Sequence, residues 1–235
     1  MISLKKNGIQ EQTKPDIKEI LHLLEESYPQ VQTSLHFHTT FELLLAVILS
    51  AQTTDLQVNR ITAELFPLIK NGPGSVLEMG RERLETVIQS CGLYRQKSRQ
   101  IMDTCHMLLE QYKGEVPRTR EELMRLPGVG RKTANIILST AFNIPAFGVD
   151  THVKRVSGRL GLTEGKNPRA IEDELCKIIP PAAWADTHHR LIAHGRSICR
   201  AHNPICVECP LTANCFFYKS KKEEKRNIKT QTEYS

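Results

Sequence analysis

The chain has 235 residues, of which 40% are hydrophobic and 25% charged, and its formal net charge is +6. This composition excludes a disordered chain, and no run of eighteen apolar residues occurs that could cross a membrane as a helix. The opening segment has no apolar core, so we expect no secretory signal and a cytoplasmic, reducing location. A mildly basic chain is compatible with a phosphate-rich partner, although charge alone does not identify one.

The sequence predicts helices almost throughout, and no segment alternates between apolar and polar residues as a strand does. Asp16 is placed to cap the first helix, and Thr39 with Glu42 forms a capping-box pattern before the second. That second helix, Phe41 to Leu49, is apolar on every side and should be buried. Further helices are expected near residues 58–68, 84–92, 95–113, 119–126, 131–142, 151–160, 168–180 and 186–199. The pattern favours an all-α fold with a flexible charged tail, 219–235.

A glycine-rich turn, Leu126-Pro-Gly-Val-Gly-Arg-Lys-Thr-Ala134, joins a short helix to a longer one. Glycine allows the backbone to adopt positive φ and to approach a ligand closely. The free N–H groups at the start of the second helix can bind a phosphate oxygen without reading the base sequence. A bare Gly-x-Gly is usually an ordinary turn between core helices, but the full string is typical of a helix–hairpin–helix that binds the DNA backbone.

Lys132 follows this turn directly, and Asp150 lies eighteen residues further on. An unprotonated amine can attack the C1′ carbon of a nucleoside, form a Schiff base and permit β-elimination of the 3′ phosphate. A nearby carboxylate can stabilise the developing positive charge or move protons. From the spacing alone, the simpler interpretation is a solvated phosphate contact for Lys132 and a plain helix cap for Asp150.

Four of the seven cysteines, Cys199, Cys206, Cys209 and Cys215, form a C-x6-C-x2-C-x5-C pattern. An odd cysteine count without an export signal argues against a disulfide framework. Four thiolates on a compact loop suit either a tetrahedral zinc ion or a [4Fe-4S] cluster. Zinc ribbons usually have two C-x2-C knuckles, and this chain has one, which favours iron–sulfur.

The chain resembles bacterial endonuclease III, a family of helix–hairpin–helix DNA glycosylases, over about residues 16–218 and in the family's order. The resemblance rests on LPGVGRKTANIILSTAFNIPAFGVDTHVKRV, from Leu126, followed by the four-cysteine pattern. It is extended by FELLLAVILSAQTTD from Phe41, GLYRQKS from Gly92 and HHRLIAHGRSIC from His188.

This resemblance implies an all-α fold of two domains with DNA bound in the cleft between them. A six-helix barrel would cover residues 34–145, with the helix–hairpin–helix at about 119–143. An iron–sulfur cluster domain would combine residues 1–33 with 146–218. The implied partner is double-stranded DNA that contains oxidised pyrimidines or abasic sites, and we expect a monomer associated with the bacterial nucleoid.

The resemblance also implies roles for single residues. Lys132 matches the family's Schiff-base lysine, Asp150 its catalytic aspartate, and the four cysteines its [4Fe-4S] ligands. Gln52 would fill the space left by a flipped nucleotide and Leu93 would wedge into the opposite strand, whereas residue type alone suggests a polar helix end and a core leucine. Further DNA contacts are expected from Leu126, Gly128, Val129, Gly130, Arg131, Thr133, His152 and Arg200. His152, His188 and His189 are each equally compatible with a buried, hydrogen-bonded histidine.

The implied activity is that of a bifunctional DNA glycosylase and AP lyase acting on oxidised pyrimidines such as thymine glycol. Lys132 separates the chain from the adenine and thymine-mismatch glycosylases, which generally lack a lysine there, and the chain ends too soon for the adenine branch's C-terminal domain. The alternatives are a non-catalytic DNA-binding module and a zinc protein of transcription. Only the enzyme requires Lys132 and Asp150 together, and a zinc protein would be colourless.

The loop between the first two clustered cysteines departs from the family's pattern. It reads Arg-Ala-His-Asn-Pro-Ile, in which only Arg200 is firmly charged, whereas family loops often carry several basic residues. His202 would add charge only when it is protonated. We therefore expect a weaker or pH-sensitive phosphate contact from this loop.

Overall fold

A computed structural model of the protein describes residues 15–233, with side chains described as far as residue 224. The described residues form helices and no strands, so the all-α prediction is confirmed. In the same part of the chain, no helix is long and apolar enough to cross a bilayer. The α-helices are α1 (Ile17–Ser27), α2 (Thr40–Leu49), α3 (Asp55–Leu65), α4 (Pro73–Met79), α5 (Arg81–Ile88), α6 (Tyr94–Tyr112), α7 (Arg120–Leu123), α8 (Arg131–Ala141), α9 (Thr151–Leu160), α10 (Pro168–Ile178), α11 (Trp184–Ser197) and α12 (Phe216–Glu233).

The helix starts follow from side chains that accept hydrogen bonds from otherwise unpaired N–H groups. The Asp16 carboxylate accepts from the Lys18 amide at 2.9 Å and so begins α1. Thr39 and Glu42 form the predicted reciprocal capping box at the start of α2. Both N-caps were therefore correctly predicted from residue type and spacing.

Two apolar cores organise the chain. The first consists of residues between Leu35 and Ala146, with α2 at its centre, where every residue from Phe41 to Leu49 except Glu42 is buried. The second combines apolar residues of α1 with residues between Phe147 and Cys215. The boundary between the cores thus falls near the turn from α8 to α9, and the division into two domains stays a prediction.

Two features of the chain were not predicted from the sequence. The helix expected near residues 58–68 ends before residue 71, as predicted, but a further helix, α4, begins at Pro73, because proline is well tolerated in a first helical turn. The charged segment expected to be a flexible tail lies in α12 as far as Glu233, and residues 234–235 fall outside the described part. Lys, Glu, Arg and Gln are good helix formers, and Phe217 anchors the start of α12 against the second core and under the Arg159 guanidinium.

Candidate functional site

A cleft of about 240 Å³ is lined by residues from both halves of the fold, and Lys132 and Asp150 both face it. Lys132 is exposed at the second position of α8. Asp150 immediately precedes α9 and caps it, because its Oδ1 accepts from the Val153 amide at 2.8 Å. The cap fixes the carboxylate where the lysine side chain also reaches, so the structure brings the two predicted catalytic residues to one site.

His188 closes one side of this cleft and is buried. Its Nδ1 lies 2.8 Å from the Gly148 carbonyl oxygen, and since a carbonyl only accepts, Nδ1 carries the proton. Burial, followed by the influence of the neighbouring His189, lowers the pKa of His188 well below its ordinary value. His188 is therefore a neutral imidazole with a fixed orientation at neutral pH. This agrees with the expectation that it could be a buried, hydrogen-bonded histidine.

Replacing Gly148 with alanine is expected to destabilise the fold by about 1–3 kcal/mol, the usual cost of overpacking a filled site. An added Cβ would lie 2.9 Å from His188 Cε1, so the buried ring would have to shift and strain its hydrogen bond to the Gly148 carbonyl oxygen. The midpoint of urea unfolding measures the effect.

Gly158→Ala is the matched control for this substitution. A Cβ at Gly158, inside α9, meets no atom within 4 Å, so alanine should stabilise the protein by about 0.5–1 kcal/mol. Equal unfolding midpoints for the two variants would contradict the close contact between Gly148 and His188.

An ion pair that the sequence analysis missed ties the two walls of the cleft together. Asp55, at the start of α3, accepts from the Ser34 hydroxyl at 2.5 Å and from Arg196 of α11 at 3.0 Å. Burial raises the pKa of Asp55, but these two hydrogen bonds and the positive charges of Arg196 and Lys132 outweigh it, and the net pKa is lowered. Asp55 is therefore a charged wall of the cleft at neutral pH.

The glycine-rich turn between α7 and α8 is tight and open to solvent. Gly128 has φ +80°, and the Val129 amide donates to the Leu126 carbonyl at 3.0 Å. The Thr104 hydroxyl of α6 donates to the Pro127 carbonyl at 2.9 Å and so holds the turn from below. A Cβ at Gly130 would meet open space, so an anion can approach the first N–H groups of α8.

The side chains of this turn do not all face outward as expected. Leu126 and Val129 are buried in the first core, so only their backbone is available to DNA. The Arg131 guanidinium donates to both carboxylate oxygens of buried Glu172 in α10, at 2.7 and 2.9 Å, and is thereby committed to a structural pair. Gly128 and Gly130 are exposed and Thr133 is partly exposed.

His152 is not brought to the cleft. Its Nδ1 lies 2.9 Å from Arg155 Nη2, and the two side chains pack against Gly195, where an added Cβ would be 3.0 Å from each of those atoms. Arg155 also donates to the carbonyls of Gly195 and Cys199, at 2.9 and 3.0 Å. The structure therefore gives this pair a packing role between α9 and α11, and the DNA contact expected of His152 stays a prediction.

Gln52 and Leu93 lie on neighbouring exposed loops. Both adopt left-handed backbone conformations, with φ of 56° and 59°, and a Cβ on Gly92 would lie 3.3 Å from the Gln52 carbonyl oxygen. Leu93 is 53% exposed, which excludes the core position that its residue type suggests. Two side chains thus project into solvent from strained, adjacent backbone positions.

The four clustered cysteines line one cavity with apolar residues of α9 and α12. Arg159 donates to the Cys199 sulfur at 3.4 Å, and His194 Nε2 lies 3.6 Å from the Cys209 sulfur. The guanidinium of Arg159 also binds the carbonyls of Arg200 and Ala201, at 2.6 and 3.0 Å, which fixes the loop that begins at Cys199. Among the described residues, no three His, Cys, Asp or Glu side chains are arranged to hold a single metal ion.

Comparison with known proteins decides the family. The model of the HhH-GPD superfamily of base excision DNA repair proteins matches residues 45–181. Endonuclease III of Escherichia coli (strain K12) is 48% identical over 203 residues, which make up 86% of this chain and 95% of that protein. The chain belongs to the endonuclease III family. Endonuclease III of Bacillus subtilis (strain 168) is 45% identical over 213 residues, 90% of this chain and 96% of the relative.

Solved structures agree with this membership. A trapped endonuclease III–DNA covalent intermediate matches with a TM-score of 0.83 and 46% identity, and covers 88% of this chain and 97% of the other. A non-covalent endonuclease III–DNA complex matches with the same TM-score and coverage at 47% identity. A thermostable thymine-DNA glycosylase, with a TM-score of 0.79 and 23% identity, shares the fold. The predicted family and the helix–hairpin–helix glycosylase fold are therefore confirmed.

Proposed function

We propose that this endonuclease III homologue is a bifunctional DNA glycosylase and AP lyase that acts on oxidised pyrimidines and abasic sites in double-stranded DNA. The observation that carries the proposal is that Lys132 and Asp150 line one cleft beside an open helix–hairpin–helix turn. The solved relatives support it, since endonuclease III has been captured both in a non-covalent complex and in a covalent intermediate with DNA.

The glycine turn binds the DNA backbone. The N–H groups of the first turn of α8 and of the exposed glycines 128 and 130 coordinate a phosphate oxygen, with Thr133 beside them. Arg131 contributes its backbone amide, because its guanidinium is paired with Glu172. Gln52 and Leu93 enter the duplex when the damaged nucleotide rotates out of the stack into the cleft.

Lys132 is the nucleophile. Its neutral amine forms a bond to C1′ as the glycosidic C–N bond breaks, and the base leaves with a proton. Opening of the sugar ring gives a protonated Schiff base on Lys132. Loss of a proton from C2′ then breaks the C3′–O bond and releases the 3′ phosphate. An abasic site enters the same sequence at its open aldehyde, so one lysine serves both activities.

Asp150 stabilises the positive charge that develops on the sugar and moves protons during ring opening. The hydrogen bond that Asp150 Oδ1 accepts from the Val153 amide fixes the orientation of the carboxylate. His188 is neutral beside it, and its Nδ1–H is occupied by Gly148, so it shapes the cleft without adding charge.

We also propose that Cys199, Cys206, Cys209 and Cys215 hold a [4Fe-4S] cluster. The four thiols surround a common cavity, and Arg159 and His194 lie against two of the sulfurs as hydrogen-bond donors do in such sites. The four cysteines would hold the cluster by their thiolates, and a bound cluster would cross-link the loop that carries Arg200. The first apolar core would then belong to the barrel domain, 34–145, and the second to the cluster domain. The enzyme would act as a monomer on bacterial chromosomal DNA.

The purified protein tests the function directly with duplexes that carry thymine glycol, an abasic site or no lesion. We expect release of thymine glycol and cleavage 3′ to both lesions, no product from intact DNA, a yellow-brown protein and four iron atoms per chain, as a [4Fe-4S] cluster requires. Tight binding without release or cleavage would instead support a non-catalytic DNA-binding module, and a colourless zinc-loaded protein would overturn the cluster proposal.

Substituting His202 with lysine is expected to tighten DNA binding near neutral pH. The side chain is exposed in the loop that follows Cys199, where a permanent charge can neutralise one more phosphate. The slope of log affinity against log salt should then steepen by about 0.9, the value for one added contact with duplex DNA. His22→Lys, in exposed α1, makes the same chemical change as a control, and equal effects of the two variants would contradict a contact from this loop.

A further inference from the structure

The side chain of Lys97, in the first turn of α6, is buried at 2% exposure among oxygen acceptors. Its Nζ donates to the Leu49 carbonyl at 2.8 Å, the Ala51 carbonyl at 2.5 Å and the Thr53 hydroxyl at 3.0 Å, and lies 3.1 Å from the Cys91 sulfur. An ammonium has three donors, so these oxygens satisfy it fully. Burying an ammonium group away from water costs free energy, and this burial is tolerated because each of its N–H donors has an acceptor.

These acceptors all belong to the segment that carries Gln52. Leu49 is the last residue of α2, whose C-terminal carbonyls have partial negative charge, and Ala51 and Thr53 flank Gln52 on both sides. The ammonium therefore holds the backbone before the residue expected to enter the DNA and the Thr53 side chain directly after it.

The same lysine also fixes the other loop. Its backbone N–H donates to the Leu93 carbonyl at 3.0 Å, which starts α6 directly after Leu93. Gly92 allows the two loops to touch, because a Cβ there would lie 3.3 Å from the Gln52 carbonyl oxygen. Lys97 thus contacts the Gln52 loop through its side chain and the Leu93 loop through its backbone.

Both loops need such support. A left-handed conformation costs a non-glycine residue about 1–2 kcal/mol, and strained positions persist only where the surroundings over-determine them. Gln52 and Leu93 both have positive φ, and neither side chain is held by the core. The Lys97 ammonium contacts both neighbours of Gln52, at distances shorter than the 3.5 Å between the Thr53 hydroxyl and the Ala51 carbonyl oxygen, the contact that joins these two neighbours directly.

We propose that Lys97 is a positioning residue that sets the spacing between Gln52 and Leu93, and so controls insertion into the duplex and extrusion of the nucleotide rather than bond cleavage at Lys132. The proposal rests on the glycosylase and lyase function proposed above. It predicts a defect confined to duplex DNA, because a single-stranded lesion needs no extrusion and leaves no gap to fill.

The test compares lyase cleavage of one abasic site in duplex and in single-stranded DNA, for wild type and Lys97→Met. Methionine keeps the apolar length and removes the donors. We expect kcat/KM on duplex to fall by roughly tenfold to a hundredfold, as small misplacements of positioning groups do, with single-stranded cleavage within about twofold of wild type. Ser98→Ala, the adjacent buried residue that binds Glu85 instead of these loops, should leave both rates near wild type.

A double-mutant cycle separates positioning from general damage to the fold. If Lys97 acts through Gln52, both substitutions remove the same contribution of Gln52 to the reaction on duplex DNA. Lys97→Met should then lower kcat/KM on duplex by less than about threefold in a Gln52→Ala background. If Lys97→Met does not fold, Thr53→Val removes one acceptor and leaves the ammonium paired, and it should show a smaller loss with the same preference for duplex.

Equal losses on duplex and single-stranded DNA, or fully additive losses with Gln52→Ala, would overturn the positioning role. Either outcome would leave the proposed function standing, because wild type would still cleave both substrates. Absence of cleavage by wild type itself would instead overturn the function on which the proposal rests.

Discussion

Replacing Lys132 with glutamine is expected to remove nearly all strand cleavage at an abasic site. Glutamine has a similar length but no amine, so no Schiff base can form and β-elimination has no electron sink. Loss of a nucleophile commonly lowers kcat by roughly 10³-fold or more, and base release should fall with strand cleavage because both begin at the same amine. Gel analysis of cleaved strands and chromatography of the released base measure the two activities.

Folding should not change in this variant, because Lys132 is exposed and makes its contribution within the cleft. Lys154→Gln is the matched control, since Lys154 is an exposed lysine of α9 that donates to the Lys166 carbonyl and does not line the cleft. Strand cleavage by Lys132→Gln at the wild-type rate would contradict the assignment of the nucleophile. An equal loss of strand cleavage in Lys154→Gln would contradict it as well.

The Asp150→Asn variant is expected to excise thymine glycol about 10²–10⁴ times more slowly than wild type while keeping its stability. This range is typical for the loss of a positioned acid–base group or of charge stabilisation in the transition state. Asparagine caps helices as well as aspartate does, so the bond to the Val153 amide and the start of α9 should be kept. The variant therefore removes the charge and leaves the local fold unchanged, and single-turnover base release measures the result.

Asp16→Asn is the control for this substitution, because Asp16 makes the same kind of cap at the start of α1 away from the cleft. Its excision rate should equal that of wild type. If Asp150→Asn also excised at the wild-type rate, Asp150 would be the plain helix cap that the spacing alone suggested.

Much of the fold could be predicted because its signals are local. A cap such as Asp16 or Thr39 acts within three residues, and the apolar run from Phe41 to Leu49 can only be buried, so sequence patterns identify both. The helix at the C-terminus, which was not predicted, has a local cause too. A segment with one isoleucine and no other aliphatic residue resembles a tail, but many of its residues have high helix propensity and Phe217 fixes the start of α12.

The candidate site was only partly predictable, because many of its contacts join residues far apart in the sequence. Arg131 resembles a phosphate-binding residue until the fold brings Glu172 to it from α10. Lys97 resembles a solvated lysine of an amphipathic helix until the carbonyls at the end of α2 surround it. Neither pairing leaves a periodic or motif signal, since each depends on how separate helices cross.

The proposed reaction joins Lys132 covalently to DNA. Its most direct test is borohydride trapping on a duplex with one thymine glycol, followed by mass spectrometry of the adduct. We expect wild type to give a reduced protein–DNA adduct whose modified peptide contains Lys132, and Lys132→Gln to give none. An adduct on another residue, or no adduct with wild type on thymine glycol and on an abasic site, would contradict the account.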